Sequence, residues 1–154
     1  MSELKELIPG SEHWPKLERN NSNRFEARMV QVKINKSNSN FFNGMEGSQL
    51  LVPVNHGEGK MIFPEHVSAK KIISDNLVPM QFCTNKGIEA KEFPENPNGS
   101  TNGITAVTND DGRFLIMMPH PERSFLNNQL SWTNEKGKHS PWFKLFLNAR
   151  NFYS

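Results

Sequence analysis

The segment Met117-Met118-Pro119-His120-Pro121-Glu122-Arg123 puts the tightest local constraint on what this chain can fold into, because prolines flank its histidine on both sides. Proline fixes its own φ and drives the residue before it toward extended backbone, so Met118 and His120 are both predicted to be extended. The apolar run Phe114, Leu115, Ile116 leads directly into the segment and reads as the strand that delivers it. Side chains two apart on an extended chain face the same way, which points His120 and Glu122 into one pocket. In open α/β sheets, ligands collect beyond the carboxyl ends of strands. A histidine with a carboxylate partner in such a place is the base-and-orienter half of a nucleophilic triad. The same spacing also describes an ordinary solvated surface pair, and the residues alone leave both readings open.

At 154 residues the chain fits one domain, spanning 1–154, with enough length to bury a core. Its 18 Lys and Arg against 16 Asp and Glu are scattered rather than gathered into a basic stripe, which argues against a nucleic-acid partner. One cysteine excludes an internal disulfide framework and a cysteine-rich zinc site, and suits a reducing compartment. No run of about 18 apolar residues is present, so no membrane span is expected. The start, Met1-Ser2-Glu3-Leu4-Lys5, lacks the basic-then-apolar order of a signal peptide. These features predict a soluble, cytoplasmic chain.

Residues 2–8 are predicted to form a short amphipathic helix, stopped by Pro9 and Gly10. Residues 24–34 alternate, first with Phe25, Ala27 and Met29 apolar and then with Val30, Val32 and Ile34. That change of parity predicts a bulge or a strand packed on both faces. Further strands are expected over 50–54, 60–63 and 78–83, with a weaker one over 89–93. Pro64 is expected to open a helix over 65–74. Residues 96–100, Asn-Pro-Asn-Gly-Ser, read as loop. Runs 103–108 and 113–117 around Asn109-Asp110-Asp111-Gly112 read as a hairpin. The chain closes on a helix with Ser140 as its cap and Pro141 in its first turn. Trp142, Phe143, Leu145, Phe146, Ala149 and Phe152 form its apolar face, and Trp14, Trp132 and Trp142 are expected to be packing anchors. Strands outnumber helices, and no regular strand–helix–strand alternation fills the chain.

Several ordered motifs point to one family. They are Glu6-Leu7-Ile8-Pro9-Gly10-Ser11, Asn23-Arg24-Phe25-Glu26-Ala27-Arg28, Val54-Asn55-His56-Gly57-Glu58-Gly59, the 96–100 loop, the 103–108 strand, the Pro119–Arg123 segment, Ser140-Pro141-Trp142 and Asn148-Ala149-Arg150. Together they cover nearly the whole chain, which resembles the glutaminase end of the phosphoribosylformylglycinamidine synthases in their large single-chain form. That resemblance implies an α/β fold: the C-terminal part of a class I glutamine amidotransferase domain, flavodoxin-like and doubly wound, incomplete on its N-terminal side.

The resemblance also implies a chemistry. A cysteine thiolate attacks the glutamine side-chain amide, ammonia leaves, and water releases glutamate from the thioester. The catalytic histidine and glutamate of the family fall on His120 and Glu122, and Asn55, His56 and Gly57 fall on a stretch lining the glutamine site. Glutamine and the synthetase region of the same enzyme are the implied partners. No cofactor is implied for this segment; ATP and Mg belong to the synthetase region of the parent enzyme.

The nucleophile of the family is implied to lie upstream of Met1, so the chain is expected to be a fragment without activity of its own. Cys83 ends the 78–83 strand with no helix behind it to lower its pKa, and reads as a structural cysteine. Two alternatives stand beside this reading. One is an inert remnant whose unpaired edges invite aggregation. The other is a metal site built from His56, Glu58, His120 and Glu122, since His56-Gly57-Glu58 repeats the His-x-Glu spacing.

Overall fold

The computed structural model describes residues 4–134 and 136–154. Seven strands are present among them: β1 (Lys16–Glu18), β2 (Glu26–Ile34), β3 (Gln49–His56), β4 (Lys60–Ile62), β5 (Met80–Phe82), β6 (Ile104–Thr108) and β7 (Leu115–Met117). Two α-helices accompany them, α1 (Ala69–Ser74) and α2 (Phe143–Tyr153). The start of the expected first helix, at Ser2, lies outside the described residues, and Leu4–Leu7 is a single 3-10 turn. β1 pairs with β4 in a small ribbon. The other strands form one sheet in the order β3-β2-β5-β6-β7.

Every ladder among the described residues is antiparallel. The missing strand–helix–strand alternation explains this, because parallel neighbours need a crossover of a dozen or more residues. β6 and β7 make the expected hairpin, with Ala106 opposite Met117 and Thr108 opposite Leu115. Gly112 turns it at φ +75°, where a Cβ would lie 1.9 Å from the Asn38 carbonyl oxygen.

β2 carries no bulge. Its register with β3 runs unbroken from Glu26 opposite His56 to Lys33 opposite Gln49. Glu26, Val30, Val32 and Ile34 face inward, and Phe25 and Met29 face solvent. Glu26 misled the parity reading: it is buried because Ser22 donates to one carboxylate oxygen at 2.8 Å and Arg28 pairs with the other. Pro53 sits within β3, which is tolerated because β3 is an edge strand with no donor demanded there. α1 starts later than expected, since Ser68 caps it by accepting from the Lys71 N–H, while Pro64 to Val67 forms a separate turn. Residues 89–93 contribute only an isolated bridge between Glu89 and Cys83.

Two apolar clusters sandwich β6, whose residues are all buried. One gathers Val30, Val32, Ile34, Val52, Val54, Phe82 and Trp142. The other gathers Trp14, Met61, Ile72, Val78, Val107 and Ile116 under α1 and the ribbon. Ser140 Oγ accepts the Trp142 N–H at 3.2 Å and so supports the turn leading into α2. Trp142 and Leu145 are the buried residues at this end, whereas Phe146 and Phe152 remain largely exposed. Trp132, 75% exposed, is no packing anchor.

Trp142 is 1% exposed, and its indole N–H donates to the Leu51 carbonyl of β3 at 2.8 Å. We expect Trp142→Ala to destabilise the chain by about 3–5 kcal/mol and Trp132→Ala to change stability by less than about 0.5 kcal/mol. Denaturant unfolding of the two variants checks this, and equal effects would contradict the packing described.

Candidate active site

The chain leaves β7 at Met117 and reaches His120 with φ −112° and ψ 75°, after which Pro121–Arg123 winds into one 3-10 turn. The pair is therefore set by a strand end followed by a turn, with proline in the first position of that turn, where its fixed φ fits. The turn brings Glu122 Oε1 to 2.7 Å from His120 Nδ1. Nδ1 is the donor to this carboxylate, which leaves Nε2 as the basic nitrogen. The His120 side chain is 30% exposed and that of Glu122 53%. Arg123 Nε stands 3.9 Å from the same Glu122 oxygen at the surface.

The backbone N–H of His120 donates to the Pro53 carbonyl at 2.8 Å. That bond lays the turn against β3, at whose end Asn55 and His56 sit. His56 is buried, at 7% exposure. Asn20 holds its ring: Asn20 Nδ2 donates to the carbonyls of Arg24 and His56, so Asn20 Oδ1 is the acceptor facing His56 Nδ1 at 3.3 Å. Oδ1 also receives the Gly59 N–H. His56 Nδ1 accordingly carries the proton, and the buried Nε2 has no hydrogen-bond partner. Burial pushes the His56 pKa down, and the neighbouring His120 adds to this. Glu26, across the ladder, has its pKa lowered although burial opposes that, because Ser22 and Arg28 stabilise the carboxylate.

The His56–Gly59 segment is braced from below. Asn98 Nδ2 donates to the Gly59 carbonyl at 2.7 Å, and Asn20 N–H donates to the Gly57 carbonyl. Asn98 Oδ1 takes both Ser100 N–H and Ser100 Oγ–H. Asn20 carries no motif that marks it for this role. Its 1% exposure is the property that matters, and polarity in the sequence gives no sign of it. Asn55 and Gly57 are half-buried. Glu58 points away into solvent and meets Arg19 at 3.7 Å. His56, Glu58, His120 and Glu122 therefore do not converge, and no group of metal-ligating side chains placed to hold an ion exists among the described residues. Cys83 is 2% exposed, and burial raises its thiol pKa. No helix among the described residues is long and apolar enough to cross a membrane.

The fold that positions these residues has a counterpart among known proteins. The chain belongs to the CobB/CobQ-like glutamine amidotransferase domain family, which it matches over residues 1–153. Its fold is that of a class I glutamine amidotransferase. Among solved structures it is similar to PurLQS from Thermotoga maritima, with a TM-score of 0.64 at 23% sequence identity over 91% of this chain. That match takes in 53% of the Thermotoga chain, so this chain spans about half the length of that relative.

The depressed His56 pKa has a consequence for stability. The unfolded chain takes up a proton near the ordinary histidine value of 6.5, before the folded chain does. The stabilisation is therefore fully present above about pH 6.5 and is lost as pH falls through the lower folded pKa. We expect wild type to lose more stability than His56→Gln between about pH 7 and about pH 5, measured by denaturant unfolding at each pH. Parallel losses in the two proteins would contradict the neutral assignment.

Proposed function

We propose that this domain supplies the histidine–glutamate half of a cysteine-dependent glutaminase. The ammonia it releases serves the ATP-dependent amidation of formylglycinamide ribonucleotide in purine synthesis. One observation carries the chemistry: Glu122 Oε1 lies 2.7 Å from His120 Nδ1, which fixes the ring with Nε2 free to take and return a proton. The ordered motifs and the likeness to PurLQS support the more specific assignment.

In this reading His120 Nε2 takes the proton of a cysteine thiol, and the sulfur attacks the carboxamide carbon of glutamine. The tetrahedral adduct collapses as His120 returns that proton to the departing nitrogen, giving ammonia and a γ-glutamyl thioester. Water then attacks the thioester and gives its proton to His120. The C–S bond breaks, glutamate leaves, and the sulfur recovers its proton. Glu122 acts as a positioning residue, holding the tautomer and stabilising the imidazolium through each transfer.

Cys83, the single cysteine of the chain, is a poor source of the thiol, being sealed in the core with its pKa raised. The nucleophile is assigned to a cysteine-bearing portion in the same polypeptide or a separate one, and the 154 residues alone are inactive. The synthetase region that binds ATP and Mg is the second partner, in a reducing cytoplasmic compartment.

We expect His120→Ala, in the enzyme completed with its cysteine-bearing portion, to lower glutamine-dependent turnover by about a hundredfold or more. Synthesis from added ammonia should survive, since it bypasses the thioester. Glutamine-dependent turnover that persisted in this variant would sink the assignment. Cys83→Ala should leave thioester formation intact. Loss of the trapped thioester in a folded Cys83→Ala protein would move the nucleophile to Cys83.

A further inference from the structure

We propose that Ser140 and Trp142 are positioning residues for the proton carrier: they close a ring of hydrogen bonds that fixes where the His120 turn stands against β3. The inference rests on the glutaminase reading and adds to it two residues that touch no reacting atom. The starting observation is a pair of carbonyls on one strand. Leu51 and Pro53 lie two apart in β3, so their carbonyls leave the strand on the same side. The Pro53 carbonyl takes the backbone N–H of His120 at 2.8 Å, and the Leu51 carbonyl takes the indole N–H of Trp142 at the same distance.

The two donors are also joined to each other. Past His120, the Arg123 N–H bonds the His120 carbonyl and the Ser124 N–H bonds the Pro121 carbonyl, each at 3.0 Å. The Ser124 carbonyl then receives the Ser140 hydroxyl at 2.5 Å. The oxygen of that hydroxyl accepts the Trp142 N–H at 3.2 Å. One Ser140 side chain therefore links the end of the His120 turn to the residue whose indole reaches Leu51. The ring runs from Pro53 through His120, Ser124, Ser140 and Trp142 to Leu51, and β3 closes it. Ser124, Ser140 and Trp142 are all buried, so water does not stand in for a lost bond there.

Such a ring does for the site what a single bond cannot. The bond from the His120 N–H to Pro53 sets the distance of the turn from β3 but leaves it free to pivot about that bond. The second attachment, through Ser124, Ser140 and Trp142, removes the pivot. Glu122 fixes the imidazole relative to the turn, and the ring fixes the turn relative to the strand. Both are required for Nε2 to stand where a thiol and a departing amide nitrogen reach it, since proton transfer tolerates little misplacement. The His120 side chain keeps 30% of its surface and that of Glu122 53%. Backbone bonding, rather than enclosure of the two side chains, therefore sets their place.

The test is made on the completed enzyme, with turnover counted per cysteine that an alkylating glutamine analogue labels, so that unfolded protein does not enter the rate. Trp142→Phe deletes the indole N–H and keeps an aromatic ring, and Ser140→Ala deletes the hydroxyl. Each should lower the glutamine kcat about tenfold and leave the glutamine KM within about twofold of wild type. Both break one ring, so the double variant should fall no more than about threefold below the slower single variant. If Trp142→Phe yields no labelled site, Ser140→Ala decides alone. Wild-type kcat in Ser140→Ala would overturn the inference, as would a rise in KM at unchanged kcat. Losses that multiply in the double variant would show two independent structural roles and overturn it too. Wild type that hydrolyses no glutamine would overturn the glutaminase reading itself, a different and separately visible failure.

Discussion

The hydrogen bond from the His120 N–H to the Pro53 carbonyl ties together parts of the molecule that the strand order places furthest apart. β3 and β7 are the two edges of the five-stranded sheet, yet the chain leaving β7 bonds directly to β3. The sheet must therefore curl, and the curl is what brings His120 beside the 55–57 segment. Pro53 contributes by what it lacks. With no N–H of its own it leaves only a carbonyl on that edge, and His120 supplies the donor. Two residues earlier, the Leu51 carbonyl takes the Trp142 indole N–H in the same way. The edge is closed by one backbone donor and one side-chain donor, both from the C-terminal third of the chain, which suppresses edge-to-edge pairing at this point.

Closing the edge does not cover the face. Met29 and Leu51 remain exposed on the outer side of the β2–β3 ladder, and Arg28 stacks over the Phe93 ring at 4.5 Å. Small apolar groups scattered singly on a surface are ordinary, but these share neighbouring rungs of one ladder. At the Glu26–His56 end of the ladder the buried side is polar rather than oily: Glu26, His56 and Asn20 are all buried, each with specific partners. Such networks are tolerated only when nearly every group is satisfied. The unsatisfied His56 Nε2 stands out against that background.

The parts of this fold that were legible in the sequence are those governed by local chemistry. The 109–112 turn needs a positive φ, and glycine announces it. The strand before His120 is continuously apolar and bounded by proline. The helix near the C-terminus is announced by its apolar face, but it starts at Phe143 with Trp142 as the cap residue and no capping side chain, and Ser140 bonds only the Trp142 N–H in the turn ahead of it. The failures came where long-range contacts override local signals. Glu26 reads as an outward residue until Ser22 and Arg28 are seen to neutralise it. Pro64 looks like a helix start, but Ser68 provides a better cap four residues on. Asn20 reads as loop because nothing in an asparagine reveals its burial; only the pairing of its amide with the Arg24 and His56 carbonyls does so.

Two imidazoles in one site raise the question of which takes the proton, and their partners answer it. His120 is bonded to a carboxylate, His56 to an amide. A carboxylate stabilises the imidazolium that forms when the ring acts as a base, whereas an amide oxygen orients the ring without supplying charge. Exposure separates them further: the His120 side chain keeps 30% of its surface, while His56 is buried and pays the larger desolvation penalty for any charge. The neighbouring His120 also weighs against a proton on His56. The chain thus gives two chemically identical rings different surroundings. It does so by choosing Glu122 for one Nδ1 and Asn20 for the other.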